Sequence, residues 1–232
     1  MIAIRPLSRV SDYLLCSSLI VLSWSRPISC GYLRKSVYAP ARFSGNTGHG
    51  EVGPITSTDG STTAIAVANT FLDIQDSDTT NFPRIDQMKI QKLVYYAHAW
   101  WMANTDLPLF GEDVEAWPWG PVVRNVYMEF KDCGRGPITN RGTEMVRTGP
   151  NFFDFQIKKP DPVPESVLSF LRRIWSTHKS LTGVQLSNAT HASGEPWDIV
   201  REQYGSLDGK PRIPNDLIRD VFKAKRAKST AT

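Results

Sequence analysis

Hydrophobic positions along this chain settle into a regular rhythm only after residue 61. Ala64, Val67, Ala68, Phe71 and Leu72 recur at steps of three and four, the stripe of an amphipathic helix, with Ser61 or Thr62 placed to cap its start. After a polar loop, Asp86 is placed to cap a second helix carrying Ile90, Leu93, Val94, Ala97 and Trp101 on one face. Tyr95, Tyr96 and Trp100 make the opposite face apolar too, so this helix is expected to be central and enclosed. Residues 114–117 read as a short strand. Trp119-Gly120-Pro121 then reads as a turn delivering Pro121 to the first position of a third helix, where a missing N–H costs nothing. Val123, Val126, Tyr127 and Phe130 continue that helix toward Gly134.

Farther on, Phe153, Phe155 and Ile157 alternate with Asp154, Gln156 and Lys158, the pattern of a half-buried strand. Pro160, Pro162 and Pro164 interrupt the chain. Val167, Phe170, Leu171, Ile174 and Trp175 mark a fourth helix. Thr182 and Gln185 have the capping-box spacing for a fifth, running toward Thr190. Asn215 is placed to cap a last helix through Leu217, Ile218 and Phe222. No internal repeat occurs. The pattern predicts an α+β fold, mainly α-helical with a small two- or three-stranded β-sheet, in one domain over 61–222.

Residues 1–60 lack such patterning. The apolar run YLLCSSLIVLSW, 13–24, follows Arg5 and Arg9 and has the length of an export signal's core. Its surroundings do not fit cleavage: Arg26-Pro27 follows directly, and Ala39-Pro40-Ala41 lies too far on. Pro40, Gly45, Gly48, Gly50, Gly53, Pro54 and Gly60 then break any regular element, the composition of a linker or disordered extension. Apolar runs fall short of the roughly 18 residues of a spanning helix, so no membrane is expected.

Composition narrows the function classes. With 232 residues, 41% hydrophobic and 22% charged, the chain is of ordinary globular type, which disfavours collagen, coiled coil and wholesale disorder. The net charge of +4 hints at an anionic partner until it is located. Residues 1–60 hold six basic and three acidic residues, and 223–232, a basic tail, holds Lys223, Lys225, Arg226 and Lys228. The body keeps 17 basic against 20 acidic residues, so nucleic acid is not expected as a partner. Cys16, Cys30 and Cys133 are too scattered for a disulfide scaffold or zinc cluster. His49, His98, His178 and His191 show no metal spacing, and His98 reads as a core histidine. Neither a nucleophile motif nor a phosphate loop is present, so no cofactor, metal or catalytic residue is assigned. Six of the seven tryptophans lie between Trp100 and Trp197. They suit an aromatic core, with any left exposed suited to anchoring a protein interface.

Three blocks together resemble a known family. The first is IDQMKIQKLVYYA, 85–97, containing Lys92, Leu93 and Tyr95. The second is EAWPWGPVV, 115–123, with Trp117, Trp119, Gly120, Pro121 and Val122, running on to Val126, Tyr127 and Phe130. The third is Thr190-His191, then four residues, then Pro196-Trp197. In this order they resemble the Panacea domain, found in SocA-like antitoxins and GepA-like phage-associated proteins. The likeness spans about 62–222. Asp86 stands where the family often has Thr, and Trp119 where Tyr or Phe is common.

The resemblance implies binding rather than catalysis: a cytoplasmic antitoxin that neutralises a protein toxin, encoded by the adjacent gene, through direct contact. In some branches it implies an adaptor that hands the toxin to a processing protease. The motif residues are then structural or partner-binding. Gly120-Pro121 is expected to shape a tight turn. His191 either caps the fifth helix or bonds across to that turn. Lys92, on an apolar helix, either snorkels or pairs with an acid such as Glu115. The competing readings are a phage-derived regulator with no dedicated toxin, and an enzyme using His191 with a nearby carboxylate.

Overall fold

The structure, a computed structural model, describes residues 62–151 and 154–230, with side chains through residue 228. The predicted extension at 1–60 and Phe153 lie outside the described residues. Seven helices occur among those described: α1 (Ala64–Ser77), α2 (Gln87–Thr105), α3 (Arg124–Phe130), α4 (Glu165–His178), α5 (Gly183–Thr190), α6 (Pro196–Tyr204) and α7 (Asn215–Thr230). Strands β1 (Val114–Trp117), β2 (Gly120–Val123) and β5 (Arg212–Ile213) form an antiparallel sheet in the order β2-β1-β5. Strands β3 (Glu144–Arg147) and β4 (Phe155–Lys158) form a separate hairpin. The fold is therefore α+β and mainly helical.

Helix α2 is the axis. Ile90, Leu93, Val94, Tyr95, Ala97, Ala99 and Trp100 are all buried, as a helix apolar on both faces requires. Helices α1, α4, α5 and α7 pack around it, with β2 along one side. Asp86 caps it, Oδ1 accepting from Lys89 N at 2.7 Å. The cap of α1 is Thr63, whose Oγ1 accepts from Ala66 N, rather than the expected Ser61 or Thr62. A cap's side chain reaches the second or third amide of the helix, and from Thr63 that is the amide of Ala66. The capping box of α5 is present in both directions between Thr182 and Gln185.

The aromatics divide as core and surface. Phe222 of α7 meets Tyr95, Tyr96 and Trp100 with centroids 5.1–6.3 Å apart. His98 is fully buried, stacked on Phe110 at 4.1 Å and paired through Nε2 with Asn215 Oδ1 at 3.2 Å. Burial pushes its pKa down to about 4. Asn215, expected as a cap, thus turns its side chain inward to His98. Helix α7 continues from the domain body into the residues grouped as a basic tail, as far as Thr230, and there Lys223 pairs with Asp106 and Lys225 with Glu195.

Two expectations are corrected. Pro121 does not start a helix; it lies in β2, opposite Ala116 of β1. Ala116 N donates to Pro211 O on the β5 side at 2.7 Å, so its main-chain polar groups face away from β2. Pro121 therefore occupies a position where β1 offers no partner, and its absent N–H breaks no ladder bond. The strand at 155–158 is not half-buried: all four residues are exposed. Its alternation marks two faces correctly, but the hairpin stands off the core and no described element covers either face of β4.

Candidate functional site

The three motif blocks meet at the β1–β2 turn, Trp117 to Pro121. Its carbonyls are gripped one after another. Trp197 Nε1, on α6, donates to Trp117 O at 2.7 Å. His191 Nε2 comes within 3.4 Å of Pro118 O. Ser187 Oγ, on α5, donates to Trp119 O at 2.9 Å. Lys92 Nζ, on α2, donates to both Trp119 O at 2.6 Å and Pro121 O at 3.1 Å. Four carbonyls of the turn, those of Trp117, Pro118, Trp119 and Pro121, are thus met by side chains from α2, α5, α6 and the C-cap of α5.

Lys92 is the deepest member, 1% exposed with no acid on its amine. Desolvation pushes its pKa down to about 7. Two carbonyls need two N–H donors, which either protonation state of the amine supplies. The expected alternatives for Lys92 are both corrected: it neither reaches the surface nor meets Glu115. That carboxylate instead accepts from Arg124 Nε at 2.9 Å and from Trp117 Nε1 at 2.7 Å, where water still screens the pair. The partners of its amine are main-chain carbonyls of the turn instead.

Gly120 makes the approach possible. Its φ is +99°, and a Cβ there would stand 2.5 Å from Lys92 Nζ and 2.7 Å from Thr190 Oγ1. Thr190 is itself buried, its hydroxyl donating to Ser187 O at 2.7 Å. His191 follows as the C-cap residue of α5, with Nδ1 2.6 Å from Ser187 O and its ring edge-on to Trp197 at 3.9 Å. The ring thus both closes the helix end and reaches the turn, and no carboxylate is bonded to it among the described residues. Pro196 occupies the first turn of α6 and is buried.

The remaining motif residues form the support. Leu93, Tyr95 and Val122 are buried in or beside the core. The Tyr95 hydroxyl has no partner among the described residues, and burial holds its pKa well above the usual phenol value. Tyr127 packs on Trp117 at 4.7 Å, and Lys210 Nζ lies over that indole at 4.0 Å. The clamp also uses residues that sequence reasoning passed over. Ser187 stands four residues before His191, one helical turn away on the same face, and that spacing was the available signal. Gln91, within the first block, accepts from Val123 N at 3.0 Å and fixes the outer edge of β2.

What this grip leaves outside is the indole of Trp119, 72% exposed at the tip of the turn. Trp100, Trp175 and Trp197 are buried by contrast. No group of three or more His, Cys, Asp or Glu side chains able to hold a metal occurs among the described residues, and none of their helices is long and apolar enough to cross a membrane.

A helical α+β domain whose motif residues hold one tryptophan-tipped turn is built as a scaffold around a presented surface feature. The family model for the Antitoxin SocA-like, Panacea domain matches residues 90–198, which contain the entire clamp. The chain is also 31% identical over 172 residues to Antitoxin SocA of Caulobacter vibrioides (strain NA1000 / CB15N), a match covering 73% of this chain and 87% of that protein. The chain belongs to the SocA-like, Panacea-domain antitoxin family. No solved structure matches it.

Proposed function

We propose that this protein is an antitoxin that neutralises a co-encoded protein toxin by binding it directly. Membership of the SocA-like family carries the reading. The geometry supports it physically. An aromatic side chain held rigidly in solvent loses little freedom when a partner covers it, and tryptophan is a favoured anchor at interface centres. Trp119 is that anchor in our reading; Lys92, Gly120, Ser187, Thr190, His191 and Trp197 position it. The working domain is 61–222, acting in the cytoplasm where a co-encoded toxin is made, without cofactor or metal.

The test is co-expression with the adjacent open reading frame. That product should arrest growth alone and be rescued by this chain. A harmless neighbour, or a toxic one that is not rescued, would overturn the proposal. Following the neighbour's half-life in the same cells separates neutralisation by binding alone from delivery to a protease, since only delivery shortens it.

A further inference from the structure

Tyr95 belongs to the first motif block, yet the clamp makes no use of its hydroxyl. The residue is 1% exposed, and its ring packs against those of Tyr96 at 5.6 Å and Phe222 at 6.0 Å. A phenylalanine would fill the same space. The hydroxyl itself has no partner among the described residues. An enclosed hydroxyl left unbonded is destabilising, and in folded proteins such groups are nearly always paired with protein or with ordered water.

A second unpaired atom lies on a neighbouring element. Glu195, the residue before Pro196 at the start of α6, keeps its Oε2 enclosed and without a partner among the described residues. Its other oxygen, Oε1, is held by Lys225 Nζ of α7. One ring connects the two groups: Lys225 Nζ lies 4.3 Å from the Phe222 centroid, and Tyr95 packs against that same ring with planes at 84°. Burial first, and then the charge of Glu195, holds the Tyr95 phenol in its protonated form. The hydroxyl is therefore a donor in search of an acceptor, and the carboxylate oxygen is an acceptor in search of a donor. They are complementary and near, yet not bonded to each other. Single enclosed waters occupy such places, where about two to four polar groups converge.

We propose that one enclosed water molecule joins the two, accepting from the Tyr95 hydroxyl and donating to Glu195 Oε2. A bridge of this kind is nearly as favourable in enthalpy as a direct hydrogen bond. It makes Tyr95 a positioning residue. Glu195 is the N-cap residue of α6, directly ahead of Pro196 and Trp197, and Trp197 Nε1 donates to Trp117 O in the clamp. The water ties the axis helix α2 to the start of α6, while Lys225 ties the same carboxylate to α7. The first and third motif blocks are thus joined by a second route, besides the turn that both hold. Nothing in this bridge depends on the antitoxin reading.

A crystal structure of the full chain, at a resolution that orders enclosed solvent, is the direct test. A water oxygen should stand about 2.6–3.2 Å from both Tyr95 Oη and Glu195 Oε2. A direct bond between those two atoms, another protein group on either of them, or no water between them overturns the proposal. Tyr95→Phe keeps the ring and removes only the donor. It should raise the unfolding constant from urea melts by roughly tenfold, because a charged acceptor loses its bonded water; an unchanged constant counts against the bridge. Glu195→Gln should raise it too, and the double variant should fall short of the product of the two, since both changes break one bridge. Effects that simply multiply would show two independent sites and overturn it. The indole N–H resonance of Trp197 reports position rather than stability. It should shift in Tyr95→Phe, and an unmoved resonance removes the positioning role.

Discussion

Replacing Gly120 by Ala tests the clamp at its tightest point. The φ of +99° is strained for any residue with a Cβ, a cost of about 1–3 kcal/mol. The new methyl would also stand 2.5 Å from Lys92 Nζ, so the amine must leave its position between Trp119 O and Pro121 O. Lys92 is enclosed and cannot swing to solvent. Weakening hydrogen bonds from a charged donor costs about 1.5–3 kcal/mol. The two effects together give about 2.5–6 kcal/mol. For a domain of this size each kcal/mol lowers the melting temperature by about 2–4 °C, so a fall of about 5–24 °C is expected. Circular dichroism melts and urea midpoints on the purified chain measure it. Gly111→Ala is the control, since nothing lies within 4 Å of a Cβ there, and it should stay within about 0.5 kcal/mol. A Gly120→Ala melt within about 2 °C of the unaltered chain would show that neither the turn's conformation nor the Lys92 contacts matter to stability.

Trp119→Ala should leave stability within about 0.5 kcal/mol, because the indole is mostly in solvent, yet weaken toxin binding by roughly tenfold or more; equal affinity in a titration against the unaltered chain would remove Trp119 as an anchor. Lys92 provides a pH signature. Its folded pKa of about 7 lies below the ordinary lysine value of 10.5, so between the two the unfolded chain holds the extra proton and stability rises with pH. Below about 7 that contribution is absent. Lys92→Met should remove up to ~1.4 kcal/mol per pH unit from this slope, and parallel urea-midpoint profiles for the two proteins from about pH 7 to about pH 9 would contradict the burial argument. Asp86→Ala should cost about 1 kcal/mol through loss of the α2 cap, with Asp86→Thr restoring most of it in the same melts.

Much of the candidate site was legible in the chain, though without its purpose. The three blocks named nearly every clamp residue, but they are separated by roughly twenty to seventy residues, and spacing alone does not state that all of them address the carbonyls of one turn. Ser187 shares a helical face with His191, but a serine inside a helix usually has a local role, so that spacing alone does not single it out. Both readings of Lys92, snorkelling or pairing with an acid, missed its partners because neither considers main-chain oxygens. Pro121 misled because proline at a helix start and proline in an edge strand satisfy the same condition, an N–H that has no ladder partner.

Sequence by itself determined the local elements: the helical stripes, the Asp86 cap and the Thr182–Gln185 box arise from interactions within four residues, so their pattern is complete in the chain. It also determined that α2 is enclosed, since a helix apolar on both faces has no stable place at a surface. Tertiary structure alone decided which aromatic faces solvent. Trp119 and Trp197 are equivalent in hydropathy, and packing of α6 against the β1–β2 turn buries Trp197 while leaving Trp119 72% exposed. It likewise decided that the alternating strand at 155–158 meets no core, because alternation marks two faces and only packing of distant segments settles whether either is covered.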